Sequence, residues 1–153
     1  MSEVGSAPAG GLRLRLGGFD PDAVARAEAA LKSLSANFEA WLADEIAKLK
    51  AARGRIDSAG LTAETAEALY MRAHDLKGLG ATYQYPIITT IAGLLCKFTD
   101  KPEQRLKAPL ALVDAHIGAI EAAVAGDIRT EEDPRGAAAV AALDAAVRQH
   151  LGT

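Results

Sequence analysis

Apolar residues recur along most of the chain at spacings of three and four, which is the period of an α-helix with one buried side. Residues that favour helix starts precede four of these stripes: Asp20-Pro21, Thr62, Pro86 and Asp133-Pro134. An oxygen-bearing side chain caps free backbone N–H groups there, and proline fits the first turn because it has no N–H to satisfy. The pattern predicts six α-helices. Their apolar stripes are Val24, Ala27, Leu31 and Leu34; Phe38, Leu42, Ile46 and Leu49; Ala66, Leu69, Ala73, Leu76 and Gly80; Ile88, Ile91, Leu95 and Phe98; Leu110, Val113, Ile117, Ile120 and Val124; and Val140, Leu143, Val147 and Leu151.

Serine, glycine and proline mark the other predicted helix boundaries. Ser33 or Ser35 is the expected cap of the second helix, which should end near Gly54, and the fifth helix should end at Gly126. Pro109 either starts or kinks that fifth helix. Alternating spacings of three and four form the seams of antiparallel helix bundles. We therefore predict an all-α fold, an up-and-down four-helix bundle with additional N- and C-terminal helices.

The chain shows no sign of a second domain or a membrane span. Residues 1–18 have no lasting period and are predicted to be a flexible N-terminal arm, whereas residues 19–153 are predicted to form a single helical domain. The uncharged run from Gly78 to Cys96 nearly reaches the length of a spanning helix, about 20 residues. Because a Tyr-Gln-Tyr-Pro sequence would break a helix near the middle of that run, we predict two helices meeting at a turn.

Composition supports the helical prediction and limits the classes of partner that the protein can bind. Alanine, the best helix former, accounts for 34 of the 153 residues. The 17 basic and 20 acidic side chains leave a net charge of −3, so no overall positive field would hold nucleic acid or an anionic membrane. The chain has a single cysteine, and Met1 to Gly11 lacks the pattern of a secretory signal. We therefore expect a cytoplasmic protein with no nucleic-acid or membrane partner.

The segment Ala73-His74-Asp75-Leu76-Lys77-Gly78 carries the candidate chemistry. The apolar stripe of its helix points about 120° away from His74, so the imidazole is predicted to face solvent. Residues within about 60° of the ring should form a sparsely charged surface on which a protein partner can pack closely. Its predicted members are Glu67, Tyr70, Met71, Lys77, Gly78 and Ala81.

These neighbours suit a histidine that becomes phosphorylated. A neutral imidazole nitrogen is nucleophilic near neutral pH, and the ammonium of Lys77 can meet the charge of a phosphoryl group. Gly78 removes a side chain that would stand beside the ring. Glycine in a helix costs about 1 kcal/mol relative to alanine, so Gly78 and Gly80 in an alanine-rich chain indicate a specific need. The alternative interpretation is an ordinary exposed histidine beside a solvated lysine.

The same six residues resemble the AHxLKG phosphorylation motif of histidine-containing phosphotransfer (HPt) domains. The resemblance covers about residues 36–125, which it implies are the core of a four-helix bundle. It implies that His74 accepts a phosphoryl group from a receiver-domain aspartate or a histidine kinase and passes it on. Lys77 would stabilise the phosphate, and Gly78 would give access. The implied partners are response-regulator receiver domains and a histidine kinase.

Two positions depart from the family pattern. Gln84 stands at the helix turn where the family often has glycine. Cys96 stands near the place of a polar Gln or Glu that supports the histidine from the next helix. Gln84 or Lys97 is the expected substitute for that support. We expect a monomer that is not an enzyme in its own right, because no ATP-binding segment follows the motif, and we expect no cofactor and no metal.

Two other classes of protein stay open. Sensor-kinase dimerisation domains carry an H-box of the form HDLKTP, which matches His74 to Lys77 and departs at Gly78 and Leu79. The third class is a structural helical adaptor without phosphochemistry. A metal or hydrolytic site is less favoured, because the chain has no HExxH motif and the pair Glu64 and Glu67 suits a solvated first turn.

The remaining candidate side chains have structural interpretations. His116 flanks an apolar stripe and His150 lies in the last predicted turn, so both are expected to be structural or solvent-facing. Cys96 is expected to be a small core or boundary residue. Tyr83 and Tyr85 are expected to pack the turn after the His74 helix.

Overall fold

The computed structural model describes residues 20–153, and all regular structure in that range is helical. Six helices follow one another in chain order. They are α1 (Pro21–Ala59), α2 (Ala63–Leu79), α3 (Pro86–Lys97), α4 (Pro102–Leu106), α5 (Leu110–Ala125) and α6 (Pro134–Leu151). The prediction of an all-α protein is confirmed. The expected N-terminal arm, residues 1–18, lies outside the described residues.

The predicted start signals begin four of these helices. The Oδ1 atom of Asp20 accepts a hydrogen bond from the backbone N–H of Asp22 at 3.2 Å, immediately before α1. Thr62 caps α2, and Asp133 accepts from the N–H of Arg135 at 2.9 Å before α6. Pro86 occupies the first turn of α3. These predictions succeed because a cap is a contact between residues two or three positions apart.

Two predicted boundaries of α1 are wrong. The helix passes through Ser33 and Ser35 without a break and continues through Gly54 to Ala59. A serine cap is worth about 1 kcal/mol, too little to break a helix that no proline interrupts after its first residue. Gly54 costs a similar amount, which the burial of Ile56 in the next turn offsets. The first two predicted helices are therefore one helix, and Gly60, with a φ of 89°, follows its end.

The chain divides into two compact units, Met1–Phe38 and Glu39–Thr153. Within the first unit, residues 21–38 are helical. The apolar stripe predicted there is exposed rather than buried: Val24, Leu31 and Leu34 are 41%, 66% and 42% exposed. This stripe therefore adds little to the core.

The second unit encloses one apolar core, to which α1 from Leu42 onward, α2, α3, α5 and α6 all contribute. α3 lies against α2, α5 and α6. The ion pair between Lys50 and Glu121, 2.7 Å long, joins α1 to α5. Because exposed ion pairs contribute about 0–1 kcal/mol and each buried leucine or isoleucine about 1.5–3 kcal/mol, burial of the apolar stripes holds the helices together. The largest fully buried side chains are Phe98, Leu42, Leu49, Leu76, Ile87, Ile88, Ile91, Leu95, Ile120, His116 and Val113.

The uncharged run near the middle of the chain forms two helices, as predicted. α2 ends at Leu79, and α3 begins at Pro86. Between them, the N–H of Tyr85 donates to the carbonyl of Gly80 at 2.8 Å, which folds α3 back onto α2. No helix in residues 20–153 is long and apolar enough to cross a membrane.

The short helix α4 is absent from the sequence prediction. Pro102 occupies its first turn, and the Oε1 atom of Gln104 accepts from the N–H of Lys101 at 3.0 Å. None of its five residues is buried, so no apolar period marks it. It packs against α2 and thereby stands beside the candidate site.

His116 lies deeper than its expected place at the edge of the apolar side. The side chain is fully buried, and its Nδ1 lies 2.7 Å from the carbonyl oxygen of Leu112. Because that oxygen can only accept, Nδ1 carries the proton. Burial lowers the pKa of His116. The burial of His116 results from packing between helices, because the centroid of the Phe98 ring lies 5.4 Å from that of the imidazole.

Candidate functional site

The helix that carries His74 is fixed at its N-terminus by two threonines. The N–H of Thr65 donates to Oγ1 of Thr62 at 3.2 Å, and the N–H of Thr62 donates to Oγ1 of Thr65 at 2.9 Å. This reciprocal arrangement satisfies N–H groups that a helix start leaves free. The Thr65 hydroxyl also donates to the carbonyl of Gly60 at 2.7 Å. The register of α2 is therefore set before the apolar stripe begins.

His74 is exposed in the second half of α2. Its neighbours Ala73 and Leu76 are fully buried, so the helix directs the imidazole away from the core, as the angle between His74 and the apolar stripe predicts. Of the residues predicted to share the side of His74, five are exposed, namely Glu67, Met71, Lys77, Gly78 and Ala81. Of the predicted surface, Tyr70 alone is partly buried.

The two glycines after His74 have different surroundings. A Cβ added at Gly78 would meet nothing within 4 Å. A Cβ added at Gly80 would lie 2.6 Å from the backbone nitrogen of Thr89 and 2.8 Å from its Oγ1. Gly80 is therefore needed for the close approach of α3 to α2. Only Gly78 leaves open space beside the imidazole, so the argument from glycine cost applies to Gly78 alone.

Lys77 lies between α2 and α3. Its Cδ is 3.9 Å from the position that a Cβ at Gly93 would take, so the lysine stem lies against α3 at that residue. Both residues line a groove of about 490 Å³ that runs between α2 and α3, called here the α2–α3 groove. Lys97 and Asp100 line the same groove. The groove thus holds cationic groups from two helices, and Tyr70, which also lines it, is the residue that links it to the His74 ring.

Tyr70 contacts His74 from the preceding turn. The two ring centroids are 5.9 Å apart, and the ring planes are tilted by 42°. The Tyr70 hydroxyl donates to Oδ1 of Asp100 at 3.3 Å, and the guanidinium carbon of Arg105 lies 4.5 Å from the Tyr70 ring centroid. Sequence reasoning missed Asp100 and Arg105. No local pattern could reveal them, because they follow Tyr70 by 30 and 35 residues.

Gln84 and Lys97 are the residues expected to support His74. The structure gives each of them contacts of a different kind. Gln84 adopts a φ of 70°, and its carbonyl accepts from Nη1 of Arg129 at 3.3 Å. Glycine adopts this left-handed conformation without strain, so Gln84 stands at a position that favours glycine. Lys97 is exposed at the α2–α3 groove.

Cys96 is buried, as expected. Desolvation raises the pKa of its thiol to about 11, so the group is protonated at neutral pH and is a poor nucleophile. Within residues 20–153, no group of three or more His, Cys, Asp or Glu side chains is placed to hold a metal ion.

The aromatic residues of the turn after α2 are packing residues. Tyr85 is 4% exposed, its hydroxyl donates to Asp127 at 3.2 Å, and Arg129 lies over its ring at 4.4 Å. The Tyr83 ring lies 5.9 Å from that of Trp41. The expectation that Tyr83 and Tyr85 pack this turn is confirmed.

The arrangement can present one nucleophilic nitrogen to a large partner. The imidazole is accessible, it has open space on its C-terminal side at Gly78, and Lys77 follows it by three residues on the same helix. No model of a known protein family, no curated protein and no solved structure matches the chain.

Proposed function

We propose that this chain is a histidine phosphotransfer protein in which His74 receives a phosphoryl group and passes it on. The donor is the aspartyl phosphate of a receiver domain or a histidine kinase, and the acceptor is the aspartate of a response-regulator receiver domain. We further propose that the part of α1 after Glu39, together with α2, α3 and α5, forms an up-and-down four-helix bundle to which α6 is added. Such a protein acts in the cytoplasm, as a monomer.

The observation that carries the proposal is the open space beside an exposed imidazole. His74 is exposed on α2, and a Cβ at Gly78 would meet nothing within 4 Å. Stability gives no reason for a glycine there, because alanine, the commonest residue of the chain, would fit and would favour the helix by about 1 kcal/mol. Access of a bulky partner to the His74 ring explains why glycine stands at position 78.

The transfer step balances with this chain's own groups. A neutral ring nitrogen of His74 attacks the phosphorus of the aspartyl phosphate, and the N–P bond forms as the P–O bond to the carboxylate breaks. The carboxylate leaves with the electron pair, and the other ring nitrogen keeps its proton. The reverse attack, by a carboxylate of the next receiver, returns the imidazole to its neutral form.

Lys77 and the surrounding surface have separate tasks. The Lys77 ammonium stabilises the charge of the phosphoryl group, so Lys77→Ala should shorten the lifetime of the phosphohistidine more than it weakens binding. Glu67, Met71 and Ala81, with the edge of Tyr70, contact the receiver. Because Glu67 and Lys77 carry opposite charges, binding should depend weakly on ionic strength.

Labelling with radioactive phosphate tests the proposal. The protein alone with labelled ATP should stay unlabelled, and a phosphorylated receiver or an active kinase should label it. The label should be labile in acid and stable in base, and His74→Gln should abolish it, whereas His150→Gln, a change at another exposed histidine, should not. Label that survives in the His74→Gln variant would refute the proposal.

The same preparation separates the alternatives. A dimer that persists at low concentration would favour a dimerisation domain of the sensor-kinase type. A monomer that no kinase or receiver of its own genome can label would favour a structural adaptor. Screening those kinases and receivers also identifies the partners.

A further inference from the structure

We infer that Tyr70, held in place by Arg105 and Asp100, is a positioning residue that restricts the His74 imidazole to one orientation. The consequence for transfer rests on the proposed function. The restriction of the ring does not, and it can be measured on the unphosphorylated protein.

The geometry of α2 brings the two rings together. Tyr70 and His74 are four residues apart, so their side chains lie on the same side of the helix. Side chains of a helix lean towards its N-terminus, which directs the His74 ring onto the turn that carries Tyr70. The ring centroids are 5.9 Å apart. Tyr70 therefore occupies the space that the imidazole would otherwise sweep on its N-terminal side.

Tyr70 can act in this way because its own ring is fixed at two points. Its hydroxyl donates to Oδ1 of Asp100 at 3.3 Å, and the Arg105 guanidinium carbon lies 4.5 Å from the ring centroid. Burial and the neighbouring Asp100 carboxylate raise the pKa of Tyr70, so the phenol keeps the proton that it donates. A half-buried tyrosine with these contacts has few other orientations.

Arg105 is fixed in turn by the end of α3. Its Nε donates to the carbonyl of Thr99 at 2.8 Å, and its Nη2 donates to the carbonyl of Asp100 at 2.9 Å. Thr99 is buried, and its hydroxyl donates to the carbonyl of Leu95 at 2.8 Å. A continuous series of contacts thus runs from the apolar core through Arg105 and Tyr70 to His74.

The result is an imidazole closed on one side and open on the other. Tyr70 limits the ring towards the N-terminus of α2, and Gly78 leaves space towards the C-terminus. In a helix, χ1 near +60° clashes with the preceding turn, so an unrestrained imidazole would divide its time among about two χ1 wells and two χ2 orientations. Removing the restraint should therefore lower the productive fraction, and the transfer rate with it, by about two- to fourfold.

NMR tests the restraint without any partner. In the wild-type protein, three-bond couplings about χ1 of His74 should report one dominant rotamer. Tyr70→Ala and Arg105→Gln should give averaged couplings, and Tyr70→Phe, which keeps the ring, should stay close to wild type. Thermal denaturation followed by circular dichroism identifies the variants that fold. If Tyr70→Ala does not fold, Arg105→Gln serves as the test variant. Couplings that are averaged already in the wild type, or unchanged in folded variants, overturn the inference.

Transfer kinetics then test the consequence. With a phosphorylated receiver as donor, Arg105→Gln, which leaves every docking residue in place, should lower the rate at saturating receiver about two- to fourfold and leave the half-saturating receiver concentration unchanged. Phosphoramidate, a small donor that reaches the ring in any orientation, should react at the wild-type rate. A raised half-saturating concentration with an unchanged maximal rate in Arg105→Gln would instead show that the contact between Arg105 and Tyr70 serves docking, and would overturn the inference. If no receiver or kinase labels the wild-type protein while the couplings respond as expected, the proposed function fails and the positioning of the ring stands.

Discussion

Gly78 and Gly80, two positions apart, should respond to alanine in opposite ways. At Gly78 the added Cβ meets nothing within 4 Å, so Gly78→Ala gains helix propensity without a steric cost. The free energy of unfolding should rise by about 1 kcal/mol. For a domain of this size, that corresponds to a rise in Tm of about 3 °C.

At Gly80 the same change should lower stability. The added Cβ would lie 2.6 Å from the backbone nitrogen of Thr89 and 3.1 Å from the carbonyl oxygen of Tyr85, and backbone atoms cannot rotate away. α3 must therefore move off α2, and the hydrogen bond from the N–H of Ala81 to Oγ1 of Thr89, now 2.8 Å, is strained. Overpacking costs about 1–3 kcal/mol and outweighs the gain in propensity, so we expect a net fall of about 1–2 kcal/mol.

Urea denaturation followed by circular dichroism measures both changes, provided that the denaturant dependence of the variants matches that of the wild type. A third variant, Gly78→Gln, tests access directly. It should unfold close to the wild-type midpoint, yet slow transfer from a receiver at least about tenfold, because its side chain fills the space beside the ring. Loss of stability in Gly78→Ala, or gain in Gly80→Ala, would show that the roles are assigned wrongly. Wild-type transfer by Gly78→Gln would refute access.

Three further predictions follow from other parts of the molecule. Gln84 has a φ of 70° and an exposed side chain, so Gln84→Gly should raise the free energy of unfolding by about 0.5–1 kcal/mol, while Gln84→Ala, which keeps a Cβ, should not; equal effects in urea denaturation would contradict this. Burial holds the pKa of His116 below its ordinary value of 6.5, so the unfolded chain takes up the proton first as the pH falls. The stability contributed by neutral His116 is therefore complete above pH 6.5 and is lost as the pH falls through the folded-state pKa. His116→Leu should flatten this part of a plot of unfolding free energy against pH, and an unchanged slope would exclude the buried histidine as its cause. Ala81→Glu should slow receiver-dependent transfer without changing helix content, and Glu67→Ala should slow it less; equal rates for Ala81→Glu and the wild type would remove Ala81 from the docking surface.

Much of the fold follows from local signals in the sequence. Thr62, Pro86 and Asp133 predict helix starts because their effect depends on backbone groups within three residues. The apolar stripe of α2 predicts which side of that helix is buried, because an amphipathic helix of known period has only one apolar side. That is also why the outward direction of His74 could be predicted.

The wrong boundaries of α1 were predicted from weak local signals that larger energies from the rest of the helix outweigh. Ser33 offers a cap and Gly54 a helix end, each worth about 1 kcal/mol. Continuing α1 keeps its backbone bonds and buries Ile56, and the helix does continue. In contrast, the stripe around Leu31 has the right period for burial and is exposed. Period indicates which residues could be buried together, but burial itself needs a second surface.

The sequence by itself determined four of the helix starts, the buried side of α2 and the outward direction of His74, because each depends on backbone bonds or on the angle between neighbouring residues of one helix. Only the tertiary structure decided that Gly80 is a packing residue, that Tyr70 is held by Arg105, and that His116 is buried. Each of these depends on contacts between different helices. Such contacts form only where the packing of whole helices brings distant residues together, and no short-range pattern encodes them.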